Sequence, residues 1–213
     1  MDTTVITMEH LEHVRELDNV NANTLLKVPN LHIGVYGTLR KGQGAAHLME
    51  DLELKTMAYL CNRYFSLRVV GHGGFPCMLS RDQLEDCVDN EHLQHHTYLA
   101  DTYPVIELYE GINEDILRRL DTYEGYPSLY QRRVYRCTEE DIHIALYIWN
   151  TDCVMEALNM EMLYNQDWLS HINIREERMP EMRDARNDIE ATMRWLRNLP
   201  RRPAIRAEEG YEE

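Results

Sequence analysis

The sequence predicts an α+β protein: a small mixed β-barrel flanked by helices, with N- and C-terminal helical extensions. Three observations carry this expectation. About six runs of β-formers lie between Leu31 and Asn150, separated by Gly, Pro or polar turns. Only one segment between them has a full helical signature. No strand–helix–strand alternation with helical connectors is visible, which disfavours a doubly wound sheet. With 213 residues and 44% hydrophobic content, the chain can form one domain with a real core plus extensions.

Residues 1–30 read as an appendage. Met8, Leu11, Val14 and Leu17 recur at helical spacing and predict a short amphipathic helix, which NVNAN ends. The domain proper is expected over 31–170. LHIGVY is a strand that stops at Gly37, and KGQGAAHLMEDLELK reads as a turn and a short helix. MAYLCNRYFSLRVV is one long run of β-formers, and GHGGFPCMLS is a turn leading into another strand. The polar stretch 81–102 reads as an insertion. YPVIELYEG is again a strand. NEDILRRLDTYEG is the clearest helix: Asn113 caps it, Glu114 and Asp115 suit the positive end of its dipole, and Gly125 ends it. LYQRRVYRCT and DIHIALYIWN are two further strands. Over 171–213, Met182, Ala185, Ile189, Met193 and Leu196 form a helical stripe between Pro180 and Pro200, followed by a loose tail. Such a stripe packs on its own domain or on a twin subunit, so a homodimer through the terminal helices is the assembly the extensions offer.

Composition excludes several functions. A net charge of −15 argues against a sequence-independent nucleic-acid binder, which needs surplus Lys and Arg. No run approaches the ~20 apolar residues of a membrane span. The N-terminus has neither the basic start nor the apolar run of a signal peptide. A soluble, cytoplasmic protein is expected. Five cysteines (Cys61, Cys77, Cys87, Cys137, Cys153) are scattered without a CxxC pair and read as reduced thiols. His92, His95 and His96 have no placed acidic or Cys partner and read as a solvated face rather than a metal site.

Two stretches carry chemistry. In VYGTLRKG, a strand runs into glycine, a hydroxyl residue and a basic pair. A phosphate loop requires Lys and a hydroxyl directly after its second glycine, but Gln43 and Gly44 stand there, so nucleotide binding is not expected. Successive backbone N–H groups after Tyr36 can still hold an anion such as a carboxylate. The plainer alternative is a tight turn in which Thr38 bonds its own backbone. The second stretch is YEGYPSLYQR. Glu124 lies at the negative end of a helix, where a carboxylate ionises less readily, the more so if buried. The plainer alternative is an exposed Glu in a last turn. Tyr126, Tyr130 and Arg132 follow closely, and aromatic walls around a lone carboxylate suit a small-molecule pocket.

Taken in order, VYGTLRKGQG, FPCML, VIELYEGINEDILRRLDTYEGYPSLYQRRVY and IALYIWN resemble the γ-glutamylcyclotransferase superfamily, also called AIG2-like, over roughly residues 31–170. The YGTL…G and LYQR forms resemble its γ-glutamylamine cyclotransferase branch. The resemblance implies the barrel fold and the formation of 5-oxoproline from a γ-glutamyl amine or peptide. It implies that Tyr36, Gly37, Thr38 and Leu39 hold the γ-glutamyl moiety, largely by backbone groups, and that Glu124 is the catalytic acid/base. Tyr130 matches a pocket-lining tyrosine, and Tyr147 corresponds more weakly. It implies no metal and no organic cofactor. Ile106 stands where many members have glycine, and Asn165-Gln166-Asp167-Trp168 only loosely echoes the usual Gly-Asp-Trp. A non-catalytic module that binds a small ligand or a partner's acidic group in the same pocket is the alternative reading. A related ring-closing or lyase activity would use every residue named.

Overall fold

The structure is a computed structural model and describes residues 5–61, 64–70, 75–83, 103–150, 163 and 166–172. Nine strands occur among them: β1 (Val5–Met8), β2 (Leu11–His13), β3 (Leu31–Val35), β4 (Glu53–Leu60), β5 (Phe65–Val70), β6 (Phe75–Ser80), β7 (Val105–Glu110), β8 (Tyr130–Cys137) and β9 (Ile142–Trp149). Helix α1 is a single turn, Ala22–Leu25, and α2 spans Glu114–Glu124.

Seven strands form one mixed sheet in the order β1-β4-β7-β3-β9-β8-β2. The pairs β1–β4 and β3–β9 are parallel, and the other four are antiparallel. The two edge strands, β1 and β2, are consecutive in the chain and separated only by Glu9 and His10. Three Cα–Cα steps span at most ~11 Å, so the sheet must curl until its edges nearly meet. The result is a nearly closed barrel. Hairpin β5–β6 packs as a separate two-stranded sheet.

Alternation along β9 shows how the layers are filled. Ile144, Leu146 and Ile148 join Met8, Leu60, Ile106 and Tyr135 in one core. Ala145, Tyr147 and Trp149 join Ile33, Val35 and the inner face of α2 in the other. A strand buried on both faces reads as apolar throughout, which is why β9 stood out in the sequence.

Three expectations need correction. Residues 8–17 do not form an amphipathic helix; they supply β2, the end of β1 and a 3-10 turn at Arg15–Leu17. Backbone pairing with β4 and β8 outweighs the weak helical spacing. The long run 57–70 is two strands, β4 and β5, interrupted between Cys61 and Tyr64. LELK belongs to β4, and the helix expected before it is one 3-10 turn, Ala46–Met49. By contrast α2 forms as expected: Asn113 Oδ1 accepts from Ile116 N–H at 3.0 Å, and Gly125 closes the helix at φ +63°. The insertion beyond Gln83, the His92–His96 cluster, Cys87, Cys153 and the stripe Met182–Leu196 lie outside the described residues. Among the described residues no helix is long and apolar enough to cross a membrane.

Candidate active site

A cavity of about 160 Å³ opens between the end of β3, the hairpin strand β6 and the C-terminal end of α2. Tyr36, Gly37, Thr38, Leu39, Glu124, Tyr130 and Tyr147 all line it. The structure thus brings the YGTL loop and Glu124 together although the neighbouring Thr38 and Tyr123 are 85 positions apart in the chain. Phe75, Pro76, Tyr123 and Leu129 complete the apolar wall.

Main-chain geometry sets each wall. After β3 the loop folds into a turn in which Arg40 N–H donates to Gly37 O at 3.0 Å. Thr38 O accepts from Ala45 N–H at 3.0 Å. The N–H groups of Gly37, Thr38 and Leu39 donate to no acceptor among the described residues, which leaves consecutive amides available to an anion. Gly37 has no room for a side chain: a Cβ there would lie 2.4 Å from Pro76 Cγ. Thr38 does not bond its own backbone; its hydroxyl pairs with Tyr123 OH at 2.8 Å and ties the loop to α2.

In the basic pair after Leu39, the Arg40 side chain is structural. Arg40 is buried, with Nε 3.3 Å from Glu107 Oε1 and Nη1 2.5 Å from Asp167 Oδ1. The other Glu107 oxygen accepts from Lys41 N–H at 2.8 Å and from Tyr109 OH at 2.9 Å. One buried carboxylate on β7 therefore anchors the loop from beneath. Sequence inspection missed this role, because Glu107 sits in an ordinary β run and its partners are 66 and 67 residues away. In the Gln166-Asp167-Trp168 stretch, Asp167 serves the same anchor, and Gln166 Oε1 accepts from Leu67 N–H at 2.6 Å. Ile106 packs in the core beneath β7 rather than in the cavity.

Glu124 lies where the helix is terminated by a Schellman turn. Tyr126 N–H donates to Asp121 O at 2.9 Å, and Gly125 N–H to Thr122 O at 3.3 Å. The carboxyl is half-buried and has no hydrogen-bond or ion-pair partner among the described residues. Burial pushes its pKa up from the ordinary 4.5 to about 8. The direction matches the expectation from sequence, with desolvation as the cause. The groups that sense its charge are the hydroxyls of Tyr36 just after β3, Tyr123 on α2, Tyr130 on β8 and Tyr147 on β9. All four are already engaged: Tyr123 OH pairs with the Thr38 hydroxyl, Tyr36 OH donates to Tyr147 O at 2.5 Å, Tyr130 OH to Pro76 O at 2.9 Å, and Tyr147 OH to Asp121 Oδ1 at 2.7 Å. They serve as pillars that fix the walls. Cys77 lies close by, but burial pushes its thiol up to about 12, so it does not supply a thiolate nucleophile near neutral pH.

A family model described as gamma-glutamyl cyclotransferase, AIG2-like, matches residues 33–170. The chain belongs to this family. A curated relative from Rattus norvegicus, named gamma-glutamylaminecyclotransferase, is 33% identical over 106 residues, covering 47% of this chain and 59% of the relative. The chain thus spans little more than half the length of that relative. A crystal structure of an uncharacterized protein from Pyrococcus horikoshii is similar at 15% identity and a TM-score of 0.46, covering 71% of this chain and 98% of that one. The family match begins inside β3, so β1, β2 and α1 precede it.

Proposed function

We propose that the protein is a cyclotransferase that converts a γ-glutamyl amine or peptide into 5-oxoproline and a free amine. The observation that carries this reading is the convergence, in one small cavity, of unpaired loop amides and a half-buried carboxyl whose pKa is raised to about 8. The cavity resembles in size the ~150 Å³ that accepts benzene, which suits a glutamyl group with its amine substituent projecting outward.

The substrate carries its own nucleophile. Its α-amine attacks its side-chain carbonyl, a new C–N bond closes the five-membered ring, and the original amide C–N bond breaks. The protein must fold the substrate for this attack, and good positioning contributes ~7–11 kcal/mol. Seating the α-carboxylate or the developing oxyanion on the amides of Gly37, Thr38 and Leu39 provides it. In its ionised form Glu124 takes the proton that the ammonium must lose, and as the acid so formed it returns that proton to the departing nitrogen. A pKa near neutrality suits a group with both duties. Tyr36, Tyr130 and Tyr147 shape the wall. The ring closure consumes no water and requires no protein nucleophile.

The test is incubation with a panel of γ-glutamyl amines and dipeptides, reading 5-oxoproline and free amine by mass spectrometry. Equimolar formation of both is expected. Tight binding of one member without either product would replace this reading with a binding module.

A further inference from the structure

The turn that carries Glu124 is held from outside the family-matched region. Tyr126, two residues on, donates its hydroxyl to Asn19 O at 3.1 Å, and its ring lies 4.4 Å under the Arg132 guanidinium. Arg132 is buried and reaches in two directions. Its Nη2 donates to Val20 O at 2.8 Å, and its Nε lies 3.2 Å from Asp121 Oδ1, one helical turn before Glu124. Its main chain is also clamped: Arg132 N–H donates to Asn19 Oδ1 at 3.1 Å, and Asn19 N–H donates to Arg132 O at 3.1 Å. Asn19 adopts φ +51°, a left-handed conformation that Asn tolerates and that most side chains do not. Leu25 of α1 shares one core cluster with Ile116, Leu117 and Leu120 of α2. Asn19 and Val20 precede the first family-matched residue, 33.

We propose that Asn19 and Val20 are a positioning element of the active site: acting through Arg132, Tyr126 and Asp121, they fix the helix end from which Glu124 enters the cavity. Neither residue lines the cavity. Their effect on turnover is indirect and rests on the reading of Glu124 as acid/base.

Three variants test it: Asn19→Gly, which allows the backbone angle but lacks the acceptor; Asn19→Asp, which keeps an acceptor oxygen; and Arg132→Met, which keeps bulk without charge. A displacement of about 1 Å costs on the order of 10²-fold in rate. A fall in kcat approaching that size is expected for Arg132→Met, with KM little changed, and a smaller fall for Asn19→Gly that Asn19→Asp restores. The acid limb of the pH profile should move below 8 as water reaches Glu124. Asn21→Ala is the control: it removes the cap of α1, where Asn21 Oδ1 accepts from Thr24 N–H at 3.0 Å, and should lower stability while leaving kcat and the limb in place. Folded Arg132→Met and Asn19→Gly proteins with parental kcat and parental limb overturn the proposal. If Arg132→Met does not fold, the Asn19 pair decides. If the parent forms no 5-oxoproline from any substrate, the functional reading falls. The positioning inference is then read from the Glu124 carboxyl by ¹³C NMR titration, assigned with Glu124→Gln. A downward shift in Asn19→Gly supports it, and an unchanged value overturns it.

Discussion

At Glu124, burial opposes ionisation. Glu124→Gln preserves the shape and removes the proton, so turnover should fall by about 10²–10⁴, measured on whichever substrate the panel identifies. The same substitution has an opposite signature in stability. The folded carboxyl titrates near 8 against an ordinary 4.5, so the native state holds the proton more tightly. The stabilisation from this site is full below about pH 4.5 and is lost as pH rises through about 8. Glu124→Gln should therefore match the parent at pH 4 and melt above it at pH 8.5. Each ~1 kcal/mol recovered should appear as ~2–4 °C in a thermal scan. Gly37 supplies a second residue-scale test. Adding a methyl forces Pro76 aside, and overpacking of this kind costs ~1–3 kcal/mol. Gly37→Ala should raise KM together with lowering the melting temperature.

Between elements, the loop after β3 depends on a carboxylate in β7. Removing one member of a buried ion pair costs ~3–5 kcal/mol, because the other charge is left uncompensated. Arg40→Met should accordingly destabilise the fold by that order in urea unfolding, whereas Lys41→Met, whose contact is through its backbone N–H, should not. The same comparison shows which features were legible in the sequence. Helix α2 could be read from Asn113 to Gly125 because its cap, its first-turn acids, its apolar stripe and its terminator are all local. Strands β7, β8 and β9 were legible from their apolar runs. The loop and Glu124 could be singled out because glycine in a tight turn and an acid at a helix end are locally unusual. The edge strands were not legible: Met8, Leu11, Val14 and Leu17 happen to fall three apart, and only pairing with Met57–Leu60 and Tyr135–Cys137 decides otherwise. The structural role of Arg40 was not legible for the same reason, since Glu107 and Asp167 become its neighbours only in the folded sheet.

Across the whole molecule, pH acts through a second site, on β2. His13 on β2 sits between Asp18 Oδ2 at 2.7 Å and Asp82 Oδ2 at 2.9 Å, stacked on Tyr135, while Arg133 pairs with the same Asp82. Burial alone would lower its pKa; the hydrogen bonds to Asp18 and Asp82 outweigh that and raise it from 6.5 to about 9. This contribution is whole below about 6.5 and disappears as pH climbs through about 9. It adds to the loss at Glu124, so the melting temperature should decline steadily from mildly acidic to alkaline pH. His13→Gln should flatten the part of that decline between about 6.5 and 9.

Because the barrel's rim joins the first strands to ones made much later, synthesis and folding run out of step. β2 must wait for β8, and the nearby His10–Glu139 contact spans 129 positions in the chain. Leu11, apolar and without its strand partner until then, leaves the ribosome more than a hundred residues ahead of Cys137. Pairings this distant make assembly slow and leave sticky surface waiting. A nascent chain halted before Tyr130 should bind chaperones through its own beginning.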